Sequence, residues 1–214
     1  MKKIIALLTL ILLTATLFSC DWENVRNPFE PIRAEKPVIY LYPEDVTDVT
    51  VKLDFNGTLT TTYPTYADDW QVTAAPDGTL TDAAGREYYC LYWEGDSNVE
   101  YDLTTGSVVR GEDTAAFLED TLAKLGLTER EANEFIIYWL PQMEANEYNL
   151  ISFQTEAYTD NAVLEITPTP DTVIRVFMAW RAIAEPIEVV AQEFTSPARE
   201  GFTVVEWGGT EIAE

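Results

Sequence analysis

The sequence predicts a mainly β, sandwich-like domain with a central two-helix insertion, α+β overall. Short half-apolar runs bounded by turn residues recur from Pro37 to Glu94 and again from Tyr148 to Trp207. Between them, over about residues 111–146, the apolar period lengthens from two to between three and four. Prolines at 168, 170, 186 and 197 punctuate the later runs, as turns between strands require.

Taken in order, Pro37–Pro43 (PVIYLYP) is β-branched and aromatic, bounded by prolines and apolar on both faces, which reads as a buried strand. Val49–Phe55 alternates, with Val49, Val51, Leu53 and Phe55 on one side. Asn56-Gly57 follows, then Thr58–Tyr63; Asn-Gly between two such runs is a hairpin signal, because both turn positions need positive φ. Trp70–Ala74, the turn Pro76-Asp77-Gly78 and a strand over Glu87–Glu94 continue the style. After Gly111, acidic Glu112 and Asp113 open a helix carrying Leu118, Leu122 and Leu125, closed by Lys124 and Gly126. Thr128 and Glu131 have capping-box spacing for a second helix. Its apolar face is Ala132, Phe135, Ile136, Trp139 and Leu140, and Pro141 is expected to kink or stop it. Tyr148–Thr155, Ala162–Ile166, Thr172–Trp180, Ile187–Ala191 and Phe202–Trp207 then read as strands, and a sandwich buries so many half-apolar strands.

The N-terminus reads as an export signal. Lys2 and Lys3 precede an uncharged apolar run, Ile4–Phe18, shorter than the roughly 20 residues a spanning helix needs. It ends in Leu17-Phe18-Ser19-Cys20, which resembles a bacterial lipobox; the resemblance implies cleavage before Cys20 and a lipid on that cysteine. The expected organisation is a signal peptide over 1–19, a lipidated Cys20 with a tether over 20–35, and one domain over 36–214. The tether holds Pro28 and Pro31 and spans at most about 50 Å extended. The expected location is the extracytoplasmic side of a cell membrane, with the membrane as partner through Cys20.

Charge narrows the partners. The chain carries 13 basic and 37 acidic residues, a formal −24; removal of Lys2 and Lys3 leaves 11 against 37, or −26. Such a chain repels phosphate backbones and anionic headgroups, which argues against nucleic acid and for a domain held off the bilayer. There is no histidine, so no Ser-His-Asp or Cys-His nucleophile and no His-ligated metal is available. Neither cofactor nor metal is expected. With Cys20 lipidated, Cys90 has no disulfide partner and reads as a buried, inert thiol.

Lys36-Pro37-Val38-Ile39-Tyr40-Leu41-Tyr42-Pro43-Glu44 resembles the opening signature of a widespread uncharacterised family of secreted bacterial proteins. Leu91–Gly95, Gly111–Thr114 and Tyr138–Glu144 are similar to later parts of it. The resemblance implies one intact domain from about Lys36 onward and carries no activity, substrate or catalytic residue.

Four constellations bear on chemistry. The first is aromatic: Trp70, Tyr88, Tyr89, Tyr92, Trp93, Tyr138, Trp139, Trp180 and Trp207 either fill a β core or offer stacking faces for sugar rings. In the strand Glu87–Glu94, Tyr88, Cys90, Tyr92 and Glu94 share one face; Glu87, Tyr89, Leu91 and Trp93 share the other. Second, Glu94, Glu144 and Glu206 adjoin apolar residues and are candidates for the acid–base pair that glycoside hydrolysis needs. Third, Asp68-Asp69 and Asp77–Asp82 are acidic but match no calcium-loop pattern, and Pro76-Asp77-Gly78 is more simply a turn. Fourth, Arg175, on the strand face of Val173 and Phe177, calls for a carboxylate partner or an anionic ligand. The binding candidates are therefore Trp93, Glu94, Tyr92, Arg175, Glu144 and Trp207. The expected role is a non-catalytic module for a glycan, peptide or envelope partner; the alternatives are a carboxylate-based glycoside hydrolase and a structural envelope component.

Overall fold

A computed structural model describes residues 31–212; the expected export signal, Cys20 and most of the expected tether lie outside the described residues. Within them, β1 (Ile32–Tyr42), β2 (Thr47–Phe55), β3 (Gly57–Tyr63), β4 (Trp70–Ala74), β5 (Leu80–Thr81), β6 (Glu87–Tyr88), β7 (Leu91–Ser97) and β8 (Ser107–Arg110) precede two helices. These are α1 (Thr114–Lys124) and α2 (Glu129–Met143). Then come β9 (Tyr148–Gln154), the short α3 (Glu156–Asn161), β10 (Ala162–Thr167), β11 (Thr172–Ile183) and β12 (Thr203–Glu211).

Among the described residues the strands form a seven-stranded sheet, order β3-β7-β1-β12-β11-β9-β8, and a five-stranded sheet, order β10-β2-β4-β5-β6. The mostly β, sandwich-like α+β class is thus what the molecule has. The helices form a third layer. Leu118, Leu122, Phe135, Trp139 and Met143 pack with Val38, Tyr40, Ile174, Val176, Val205 and Trp207 on one face of the larger sheet. Ile39, Leu41, Leu91, Trp93, Phe177 and Val204 point the other way, onto Val49, Val51, Leu53, Trp70 and Val72 of the smaller one. A sheet covered on both faces has no polar side, which is why β1 carries no charged residue from Pro37 to Tyr42.

The helices start and stop as their sequence dictates. The Thr128 hydroxyl accepts the Glu131 N–H, and the Glu131 carboxylate accepts the Thr128 N–H at 2.8 Å, closing the capping box. Gly126 (φ 92°) ends the turn after α1. Pro141 does not stop α2, which continues to Met143: one missing N–H in the last turn is tolerated at its exposed position.

Four expectations are corrected. β1 begins at Ile32, so the end of the segment expected to be tether is strand, pairing Ile32, Arg33 and Ala34 with Ser97, Asp96 and Gly95. Asn56-Gly57 makes no hairpin: β2 pairs with β4 and β10, whereas β3 pairs with β7 in the other sheet. The Asn56 N–H bonds the Asn161 carbonyl at 2.8 Å, and Gly57 is needed because a Cβ there would lie 2.4 Å from the Asp96 carbonyl oxygen. The expected strand over Glu87–Glu94 is broken at Tyr89-Cys90, where the chain passes from the five-stranded sheet (β6 on β5) to the seven-stranded one (β7 on β1 and β3). Residues 187–191 form no strand; Val190 makes one isolated bridge to Thr105. They belong to the irregular crossover joining β11 to the parallel β12, tied down where the Gln192 side-chain amide bonds both the N–H and C=O of Phe153 at 2.9 Å.

Candidate functional site

The signature strand builds the site. Period two sends Ile39 and Leu41 between the sheets and leaves Tyr40 and Tyr42 on the helix side, with rings stacked at 6.2 Å. Above them lies a groove of about 560 Å³. Glu131 and Glu134 reach it from the first turns of α2, Arg199 from the crossover, and Asp77-Gly78-Thr79 from the β4–β5 turn. Gly78 (φ 87°) is required twice: its backbone is left-handed, and a Cβ would sit 2.7 Å from the Tyr42 ring.

Each polar group at the groove floor has a partner. The Tyr40 hydroxyl donates to Glu134 Oε2 at 2.7 Å. Glu131, nearly fully buried, is held by Arg199 through both terminal guanidinium nitrogens, and Arg199 also donates to the Gly126 carbonyl at the end of α1. Burial raises the pKa of the Tyr40 phenol, reinforced by the bond to Glu134; burial and the Glu131 charge raise that of Tyr42. Both phenols therefore stay protonated and remain donors across the physiological range.

A second depression, of about 370 Å³, adjoins the first through Tyr89, with Lys36, Val38, Tyr63, Tyr88, Cys90 and Tyr92 around it. The break between β6 and β7 throws Tyr89 outward, 55% exposed and 6.5 Å from the Tyr40 ring. Tyr63 is 49% exposed and meets Tyr88 edge-on at 5.5 Å. Tyr42, Tyr89, Tyr88, Tyr63 and Tyr92 thus follow one another along these two adjoining hollows. Burial pushes the pKa of the Cys90 thiol up to about 12, opposed by the Lys36 charge and reinforced by that of Glu134, the state of an unreactive sulfur.

The candidates named from sequence scatter. Tyr92 lines the second depression and Glu94 stands beside it, accepting the Lys36 N–H at 3.3 Å and facing Arg33. Trp93 and Trp207 are each 0% exposed, Trp93 between the sheets and Trp207 beneath Phe135, so neither is a platform. Arg175 lies directly opposite Glu206 on the neighbouring strand, Nε to Oε2 2.7 Å, with its guanidinium over the Tyr158 ring; it is a core ion pair. Glu144 is the exposed C-cap of α2. Glu94, Glu144 and Glu206 therefore do not converge: Glu206 faces the inter-sheet core, Glu94 the helix side, and Glu144 a helix end. The acidic loops are turns, with Asp77 accepting the Thr79 N–H and Asp82 those of Ala84 and Arg86. Sequence reasoning missed Tyr40, Tyr42, Glu131, Glu134 and Arg199 as site residues; the one signal for them was that Tyr40 and Tyr42 sit in the signature.

The molecule is therefore a three-layer, β-rich protein with a tyrosine-lined surface hollow flanked by Glu–Arg and Tyr–Glu pairs. It is 41% identical over 98 residues to an uncharacterised protein in the bglA 3′ region of Butyrivibrio fibrisolvens, a match covering 44% of this chain and 98% of that protein. The chain belongs to that protein's family. No family model matches the chain, and no solved structure does.

Proposed function

We propose that the chain is a lipid-anchored, extracytoplasmic, non-catalytic module that binds a glycan along its tyrosine hollows. The observation that carries the reading is the run of partly exposed rings, Tyr42, Tyr89, Tyr88, Tyr63 and Tyr92, with carboxylates and guanidinium groups beside them. Tyrosine faces stack on the C–H face of a sugar ring, and flanking charged groups bond its hydroxyls. Glu131 and Glu134, two carboxylates that line the first groove, are already engaged by Arg199, Thr128 and Tyr40, which suits fixed acceptors better than an acid and a nucleophile. The sequence around Cys20 supports the anchor.

The test is a screen of soluble oligosaccharides by titration calorimetry with the full-length protein in detergent. Tyr89→Ala is expected to weaken the best binder about ten-fold while leaving the unfolding midpoint in place, since its ring is exposed. Silence from every saccharide, or an affinity indifferent to Tyr89, sinks the glycan reading. For the anchor, Cys20→Ala should move the protein from the membrane to the soluble fraction of its host.

A further inference from the structure

We infer that the second depression takes the carboxylate of an acidic sugar, with the Lys36 ammonium as its cationic contact. This rests on the glycan reading above and names the class of glycan.

Lys36 is unusual in its backbone, its charge and its position. Its φ is 61°, the one positive value at a non-glycine residue among those described. It sits where the register of β1 slips against both neighbours, past Ala34 on the β7 side and Glu35 on the β12 side. Glycine or asparagine occupies such a left-handed bulge at lower cost, so a long cationic side chain held there points to a use for the charge. The ammonium lies 5.4 Å from the Tyr92 ring centroid and 5.9 Å from that of Tyr138. The two rings attract the cation without neutralising it.

The charge is also left free. In a chain with 37 acidic and 13 basic residues, Arg33, Lys52, Arg110, Lys124, Arg130, Arg175 and Arg199 all have carboxylate partners. Lys36 forms no ion pair among the described residues, nor does Arg181 on β11. The nearby acids are engaged elsewhere: Glu94 accepts the Lys36 backbone N–H and faces Arg33, and Glu35 accepts the Tyr138 hydroxyl at 3.3 Å. Glu87, exposed, also lines the depression. Arg86 is similarly free of an ion pair: it stacks over the Tyr63 and Tyr88 rings and donates to the Tyr63 hydroxyl at 2.8 Å. Its neighbour Asp82 is taken up by the turn N–H groups and the Tyr88 hydroxyl.

Two cations outside any ion pair thus flank one tyrosine-walled hollow on a molecule that is otherwise strongly acidic. A hexuronate fits this chemistry, presenting an apolar ring face to a tyrosine and one carboxylate to an ammonium. Beyond about a Debye length of 8 Å in physiological salt the net negative charge is screened, so the local cation decides the contact.

The experiment compares trigalacturonate with its neutral methyl ester by calorimetry on the full-length protein. The acid is expected to bind about ten-fold more tightly. Lys36→Gln should erase that preference at unchanged melting temperature, and Lys36→Gly should erase it while melting at the same or a higher temperature, because glycine relieves the left-handed backbone. If the ammonium only braces Tyr92 and Tyr138, both variants melt lower and the preference survives, which overturns the inference. Equal binding of acid and ester overturns it too, and leaves the glycan reading intact. Binding of neither these two nor any other saccharide overturns both.

Discussion

The two faces of the seven-stranded sheet each carry a buried glutamate held by an arginine, and the two pairs serve opposite ends. Toward the five-stranded sheet, Glu206 is met by Arg175 and by the Trp93 indole N–H at 3.1 Å, under Tyr158, whose ring stacks on Phe177 at 4.1 Å. On the helix side, Glu131 is met by Arg199 and the Thr128 N–H, under the open groove. The first pair is closed off from water; the second has its arginine partly exposed and its carboxylate beside a hollow. Enclosure makes the same chemistry a matter of survival in one place and of surface shape in the other.

Arg175→Met tests the closed pair most severely. It leaves the Glu206 carboxylate buried with the Trp93 N–H as its remaining bond, and should cost about 3–5 kcal/mol in urea unfolding. Adding Glu206→Gln should return most of that loss; a single-variant cost near zero would mean the core around Glu206 admits water. Arg199→Met should cost less, about 2 kcal/mol, because Glu131 keeps the Thr128 N–H and borders the groove. Equal losses at the two arginines would erase the contrast between the faces.

The smallest effect is expected at Glu35, at the rim of the helix side. Burial raises its pKa from the ordinary 4.5, opposed by the Tyr138 hydroxyl and helped by the charge of Glu94. The folded state therefore binds this proton more tightly than the unfolded one, so ionised Glu35 costs stability at neutral pH and ceases to do so as pH falls below 4.5. Glu35→Gln should stabilise slightly at pH 7, within the roughly 0.5 kcal/mol usual for surface changes, and the gain should vanish in acid. A gain that grows on acidification would mean that folding lowers the Glu35 pKa instead of raising it.

Much of the architecture was legible because it is local. The capping box of α2, the glycine closing α1 and the alternation in β2 each depend on neighbours within one turn or one pleat. Asn56-Gly57 misled because turn chemistry says that the chain bends, while the partners of β2, namely β4 and β10, are chosen by contacts far along the sequence. The same limit governed the site. Period two correctly separates Tyr92 and Glu94 from Leu91 and Trp93, but it cannot say which face meets water when a helical layer covers the second one. The large rings Trp93 and Trp207 consequently went to the two cores, and the exposed aromatic surface fell to Tyr89, released by a sheet change that leaves no local mark.

One feature of the topology governs when such a surface can exist at all. Residues 203–211 fill the slot between β1 and β11, so the sheet's centre stays vacant until that segment docks. Arg199, just upstream of it, is positioned by the same docking step. A chain in which β12 has not yet docked would therefore present tyrosines but no assembled hollow.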